Sequence, residues 1–293
     1  MNAYQILDLP VGTRRTMFVK IDPPTAAKLL ATQDLADVET ANRKPSDTKI
    51  KIWADSMRDG LWETNGETLV FDPDGYLIDG QHRLAGLASL AGLDITIEFL
   101  VVLGISRSAQ KTMDQGVLRR LPGKLSLEGY SNATVLASVA KHLFHADLTS
   151  DFTATQERTV SDSHAFVYVE EHFDEIERSF EHLDTAKRLT RSPMLYLTAF
   201  ITLSRIDAAD AREFFESLRT GANLPEGSPI YTLREKLMEM KIDTKRSVNA
   251  EYRRDQLAFT YHAWNAFRSG RELRKLRRPN GGVWTSENFP TPV

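Results

Sequence analysis

The sequence contains no cysteine, which excludes disulfide bonds, thiolate metal sites and cysteine nucleophiles. Long apolar runs are also missing. The longest, from Phe99 to Leu103, is far too short to cross a bilayer, and no charged-then-apolar leader opens the chain. We therefore expect a cytoplasmic protein that is not associated with a membrane.

A marked excess of one charge is lacking as well. The chain has 37 Lys and Arg residues against 40 Asp and Glu residues, a net charge of −3, so overall charge gives no general case for nucleic-acid binding. Its 293 residues are 41% hydrophobic and 26% charged, which is ordinary for a globular protein. This length allows one large domain or two of moderate size, and either can bury a core.

The most informative stretch lies between residues 69 and 91. A strand at 69–71 leads into a tight turn from Asp72 to Gly75, and a second short strand ends on Asp79. A helix then opens at Gly80 and continues to about residue 91, with apolar residues on one face. The polar start of this helix is its unusual part.

A phosphate would suit this helix start. The first N–H groups of a helix lack intrahelical partners, and the helix dipole places partial positive charge there. Gly80 would let an anion approach the backbone, while His82 and Arg83 add side-chain donors. Asp79 could orient those donors, hold a metal-bound water or accept a proton from a substrate hydroxyl. The plainer interpretation is a strand-to-helix turn with Asp79 as N-cap and with His82 and Arg83 solvated.

The run from Asp79 to Ala85 resembles the signature of the ParB N-terminal/sulfiredoxin-like superfamily. Nearly the whole chain is similar to the "ParB-like nuclease domain" proteins that are frequent in phages of actinobacteria. The similarity extends through Asn42-Arg43, residues 57–62, Asn65-Gly66-Glu67, residues 113–116, residues 213–215, residues 263–266 and the closing basic run.

The resemblance implies a nucleotide site that takes ATP or CTP with Mg²⁺. The implied nucleotide-binding residues are Arg43, Gly80, Gln81, His82, Arg83, Asp114 and Arg120. The implied catalytic residues are Glu67, Asp79 and His82, with Asp79 also the candidate metal ligand. A phage protein of this kind would work in the cytoplasm of the infected bacterial host, and the resemblance leaves room for a homodimer.

The superfamily divides into clamp-like CTPases, sulfinic-acid reductases, small-molecule kinases and proteins called nucleases. The reductases carry a catalytic cysteine just before the His-Arg pair, where this chain has Gln81, so that activity is excluded. The partition proteins carry a helix-turn-helix DNA reader and a dimerisation tail. Neither is recognisable here, which argues against a chromosome-partition role.

The leading hypothesis is cleavage or transfer of a nucleotide phosphate, on or beside DNA. A metal-dependent DNA endonuclease is an alternative, although no carboxylate cluster has a convincing spacing for two metals. A second alternative is a nucleotide-gated module that binds DNA or a protein without turnover. A third is a kinase of a small molecule or modified base, with Glu67 or Asp79 as the base. Whether the protein turns over at all stays open.

The predicted fold class is mixed α+β, with a small α/β domain over residues 1–124 and a helical domain over 125–293. The first contains strands at 17–22 and 94–102, a helix from Pro23 to Ala31 and a Ser46-capped helix that stops at Gly60. Residues before about Met17 are predicted to be an arm or edge element. In the second, predicted helices cover 133–146, 163–180, 193–206, 208–220, 229–240 and 251–269.

Basic residues crowd near the end of the chain, where Glu272 is the single acidic residue among them. Such a patch can neutralise DNA or RNA phosphates without reading bases. The nucleic-acid candidates are Arg271, Arg274, Lys275, Arg277 and Arg278. The alternative is a solvated helix end, followed by a tail that packs Trp284 and Phe289 on the body. His142 and His145 share a helix face but have no third ligand at a recognisable spacing, which argues against a metal there.

Overall fold

The protein is described from a computed structural model. The structure describes residues 1–33, 45–112, 120–149, 159–243, 247–279, 282–285 and 287–293. The chain divides into two compact units, Met1–Leu118 and Arg119–Val293. This division lies six residues before the boundary that the sequence suggested. The fold is mixed α/β, with a small sheet in the first unit and helices elsewhere.

The first unit is built on a four-stranded sheet in the order β1-β4-β2-β3. Its strands are β1 (Arg15–Ile21), β2 (Thr68–Phe71), β3 (Leu77–Asp79) and β4 (Ile97–Leu103). β4 pairs antiparallel with β1 and parallel with β2, whereas β2 and β3 form an antiparallel hairpin with an irregularity beside Val70. Burial alternates along β4, so the sheet has one covered face and one less buried face.

Helices of the first unit pack on the covered face of the sheet. They are α1 (Ala3–Ile6), α2 (Pro23–Leu30), α3 (Asp47–Arg58) and α4 (Gln81–Ala88), and a 3₁₀ helix covers Arg107–Thr112. Phe71, Leu84 and Phe99 are fully buried in the core that forms between the helices and the sheet. Gly86 lets α4 approach α3 closely, since a Cβ there would lie 2.9 Å from Trp53 Cβ and 3.1 Å from the Ala54 nitrogen.

Several observed elements of this unit differ from the predicted ones, and β1, for example, covers Arg15–Ile21 rather than 17–22. The residues before Met17 include α1, whose Ala3 and Tyr4 are fully buried, so the expected arm is part of the core. α4 ends at Ala88 rather than near residue 91. β4 begins at Ile97, three residues later than predicted. Short elements are held by tertiary contacts, which local patterns do not contain.

Every element assigned within the described part of the second unit is a helix. The α-helices are α5 (Leu121–Leu127), α6 (Ala133–Thr149), α7 (Asp162–Ser179), α8 (Leu183–Leu189), α9 (Pro193–Ile206), α10 (Ala208–Thr220), α11 (Pro229–Ile242) and α12 (Ala250–Arg268). Their apolar faces form a second core around Phe214, Phe215 and Trp264. Trp284 and Phe289 of the tail are buried in that core, as the packed-tail interpretation predicted.

The predicted bounds of α9 and α10 agree with the structure, because Ser192-Pro193 and Asp207 mark their starts. α5 and α8 were missed: each has only seven residues, too few to show a helical period. Among the described residues, no helix is long and apolar enough to span a bilayer.

Candidate functional site

The candidate site of the first unit lies where the β2–β3 hairpin runs into α4. Gly75 takes a positive φ of 84°, and its N–H donates to the Asp72 carbonyl at 3.1 Å, which closes the predicted tight turn. Gly80 is the N-cap of α4 with φ 103°. A Cβ on Gly80 would lie 2.5 Å from Leu69 Cδ2, so glycine is required there by backbone conformation and by the approach of β2.

The N-cap at Gly80 overturns the plainer interpretation of this turn, in which Asp79 caps the helix. Asp79 instead accepts a hydrogen bond from Arg83 Nη2 at 2.9 Å. Arg83 is not solvated either, because only 8% of its side chain is exposed. The local sequence contains both a capping residue and a glycine, and the left-handed backbone that Gly80 supplies decides between them.

Arg83 draws three separate groups together at the helix start. Its guanidinium donates to a Glu67 carboxylate oxygen through Nη1, and to the Thr68 carbonyl at 2.6 Å and to Asp79 through Nη2. Glu67 and Asp79 keep 54% and 40% of their side chains exposed. The arrangement is therefore a buried cation that holds two accessible carboxylates, each with oxygen atoms that face solvent.

His82 joins the starts of two helices. Its Nε2 accepts a hydrogen bond from the backbone N–H of Ser46, the N-cap of α3, at 3.0 Å. An Nε2 that accepts from an N–H carries no proton, so the neutral ring has its proton on Nδ1. The neighbouring Gln81 is buried in the first turn of α4.

The remaining nucleotide-site candidates do not extend this geometry. Arg43 and Asp114 lie outside the described residues. Arg120 is the N-cap of α5 and belongs to the second unit. The structure thus brings together Glu67, Asp79 and Arg83, with His82 following Gln81 in the same helical turn.

The donor set for a cation consists of two carboxylates. Glu67 and Asp79 offer the hard oxygen ligands that Mg²⁺ prefers, and Mg²⁺ is commonly held by one or two carboxylates together with substrate phosphates. Within the described ranges, no group of three or more His, Asp or Glu side chains is placed to hold a metal ion. Two carboxylates at one helix start fit a cation that also takes oxygen ligands from a substrate phosphate.

One ion pair beside the hairpin was missed in the sequence. Asp72 is fully buried, accepts from the N–H groups of Asp74 and Tyr76 at 2.9 and 2.8 Å, and receives Arg107 Nε at 2.5 Å. The Arg107 guanidinium also lies 4.7 Å from the centre of the Tyr76 ring. Asp at the first position of a Pro-containing turn signals the backbone contacts. Arg107 could be found only from the tertiary structure.

The basic run of the second unit separates into two kinds of residue. Arg278 forms a two-oxygen ion pair with Asp255, whose side chain is 1% exposed, through Nε at 2.9 and 3.0 Å and Nη2 at 2.7 Å. Its Nη1 contacts Glu251. Asp255 and Glu251 raise the pKa of the Arg278 guanidinium above its ordinary value. The other four candidates are exposed: Arg271, Arg274, Lys275 and Arg277.

Comparison of the chain with protein-family models, with curated proteins and with solved structures finds no match in any of the three.

Proposed function

We propose that the first unit binds a nucleoside triphosphate or diphosphate at the start of α4 and cleaves or transfers one of its phosphates. The observation that carries this proposal is the buried Arg83 holding the carboxylates of Glu67 and Asp79 at a helix N-terminus. Charged groups of opposite sign, fixed in position beside a helix dipole, suit a substrate whose own charge changes during reaction.

The charges of this cluster favour a nucleotide that carries a cation. Two carboxylates and one guanidinium sum to one negative charge, which would repel a bare polyphosphate. Mg²⁺ between Glu67 or Asp79 and phosphate oxygens would offset that repulsion and stabilise the charge that develops on the transferred group. Binding should therefore depend on Mg²⁺.

Glu67 is the better candidate for the base. It is the more exposed of the two carboxylates and lies just before β2, while Arg83 restricts its position. A carboxylate so held can accept the proton of a water in phosphate cleavage or of a hydroxyl in phosphate transfer. Arg83 acts on the reaction only through the carboxylates that it positions.

The resemblance to the ParB N-terminal/sulfiredoxin-like superfamily supports the same proposal. The Asp-Gly-Gln-His-Arg run occupies a strand-to-helix junction on a small sheet, with a helical unit following in the chain. We propose that the chain consists of a domain of this type followed by a helical domain. The phosphate chemistry would then act on or beside DNA.

Calorimetric titration with ATP, CTP, GTP and ADP, with and without Mg²⁺, tests the proposal when products are analysed in the same mixtures. We expect micromolar binding of one nucleotide that requires Mg²⁺. Glu67→Gln should keep much of the binding and abolish product formation. Glu63→Gln is the matched control, since Glu63 is an exposed carboxylate of the same unit.

Three outcomes separate the alternatives. Binding with no product from the wild-type protein would instead indicate a nucleotide-gated module. Nicking of plasmid DNA that needs metal and disappears in Asp79→Asn would favour an endonuclease. If the folded protein binds no nucleotide in Mg²⁺, the proposal is wrong.

A further inference from the structure

A segment of irregular backbone follows α12 and carries the exposed cations of the second unit. Arg271, Arg274, Lys275 and Arg277 are all exposed on it. Glu272 interrupts the series and contacts Arg274 at 3.2 Å, but both side chains are more than two-thirds exposed, and such pairs contribute little. Lys275 and Arg277 have no hydrogen-bond or ion-pair partner within the part of the chain that the structure describes.

The backbone of this segment is anchored at three positions, Leu273, Leu276 and Arg278. The Leu273 N–H donates to the Gly227 carbonyl at 2.9 Å, and the Leu273 carbonyl accepts from Thr232 Oγ1 at 2.5 Å. Leu276 is buried in the helical core, and Arg278 is bound to Asp255. The cations between these anchors are therefore presented on a fixed backbone, so a ligand would not need to order the main chain on binding.

A cleft of about 800 Å³ lies beside the segment, against α11 and α12. Tyr231 lines it with 41% of its surface exposed, and Lys236 lies 5.5 Å from the centre of the Phe259 ring in the same lining. Phe259 is itself buried, so the ring available to a ligand in this lining is that of Tyr231. An exposed aromatic ring beside a track of cations is typical of surfaces that stack bases while they bind the backbone.

The acidic residues of the cleft argue for one strand rather than two. Glu235 and Glu239 line it from α11, and both are exposed. Glu239 is paired with Lys236 at 3.0 Å, so the repulsion comes mainly from Glu235. That carboxylate would repel the second phosphate backbone of a duplex, whereas a single backbone can stay close to the cationic segment. From Arg274 to Arg277 the chain reaches at most about 10 Å, enough for a few consecutive nucleotides.

We propose that this surface binds single-stranded nucleic acid, with Arg274, Lys275 and Arg277 on the phosphates and Tyr231 stacked on a base. Arg278 takes no part in it, because its guanidinium holds the buried Asp255. The inference deepens the nucleic-acid part of the proposed function and rests on it. Binding by this surface should show little base preference, since phosphate contacts and stacking on an aromatic ring are both tolerant of base identity.

Fluorescence anisotropy of a labelled single-stranded 20-mer, measured over a range of salt concentrations, tests this surface. Lys275→Gln/Arg277→Gln should make the slope of log affinity against log salt shallower by about 1.4, at about 0.7 for each lost phosphate contact. The control pair Lys187→Gln/Arg212→Gln also removes two exposed cations of the second unit and should leave the slope unchanged. Tyr231→Leu should weaken binding at least about fivefold, while Tyr231→Phe should not.

Equal salt slopes for the wild type and the Lys275/Arg277 variant would overturn the proposal. An equal change of slope in the Lys187/Arg212 control variant would also overturn it. Tighter binding of the matching duplex would overturn the single-strand assignment. Nucleotide titration of the same double variant should be unchanged. A failure of this surface is thereby distinguished from a failure of the nucleotide site.

Discussion

The backbone N–H of Ser46 donates to Nε2 of His82 at 3.0 Å, so a side chain from the first turn of α4 holds the N-cap residue of α3. Ser46 itself makes no side-chain capping bond to α3. The imidazole therefore takes part in positioning α3 as well as standing in the first turn of α4.

His82→Ala should lower the free energy of unfolding of the first unit by about 1 kcal/mol, because the Ser46 N–H loses its acceptor. Ser46→Ala is the matched control: it keeps the backbone N–H and removes a hydroxyl that caps nothing. Urea denaturation of both variants measures the difference. A larger loss in Ser46→Ala than in His82→Ala would contradict this assignment.

Arg83→Met should weaken nucleotide binding more than tenfold, since Glu67 and Asp79 would lose the cation that positions them and offsets their charge. We also expect about 1–3 kcal/mol of destabilisation, because the partly buried contact with the Thr68 carbonyl is lost. Arg58→Met is a close control, since Arg58 also contacts two carboxylates, Asp55 and Asp59, but on the exposed surface. Calorimetry and urea denaturation give the two quantities, and an unchanged affinity in Arg83→Met would refute the assignment of this site.

Arg278→Ala should destabilise the second unit by about 3 kcal/mol or more, because it leaves the buried Asp255 without its cation. Arg277→Ala, one residue away and exposed, should change the unfolding free energy by less than about 0.5 kcal/mol. Thermal denaturation of the two variants tests this contrast. Similar melting temperatures for both would show that the Asp255 contact contributes little.

Stability should fall when the pH drops below about 6.5, in part because of His182. Burial against Phe200 lowers the pKa of His182, although Glu181 and Glu216 oppose that shift and Arg219 adds to it. The unfolded chain therefore binds the proton at a higher pH than the folded one. The contribution of His182 to stability is complete above the pKa that it has in the unfolded chain. It is lost as the pH falls towards the lower pKa that His182 has in the folded protein.

Urea midpoints measured between pH 5 and 8 test this dependence. His182→Phe should make them less sensitive to pH in that window, whatever its effect on the midpoint at neutral pH. An identical pH profile in the wild type and the variant would contradict the role given to His182.

Local sequence patterns were sufficient for the hairpin and the helix that it enters. The run Asp72-Pro73-Asp74-Gly75 and Gly80 consist of residue types that favour particular turn and left-handed conformations, and that preference is visible in the local sequence. The contact between Glu67 and Arg83 joins residues sixteen apart across the edge of a sheet. The spacing of the two residues does not indicate this contact. It forms only when the folded sheet brings the residue before β2 next to the first turn of α4.

The basic run shows the same limit. Five cations within eight residues look equivalent in the sequence, and charge density alone favours a shared role. The structure separates Arg278 from the others through Asp255, which lies 23 residues earlier on α12. The position of Asp255 within a helix does not indicate that its partner, Arg278, lies beyond the end of that helix.

The place of β4 in the sheet has a consequence for biosynthesis. β4 is the last strand in the chain yet lies between β1 and β2, with Ile21 opposite Ile97 and Arg15 opposite Leu103. During translation, β1 and the hairpin emerge first and have no strand to join them, and a lone hairpin is marginally stable in water. We therefore expect the start of α4 to acquire its lasting geometry only after residue 103 has left the ribosome. A nascent chain stalled before that point would expose two unpaired strand edges to chaperones and proteases.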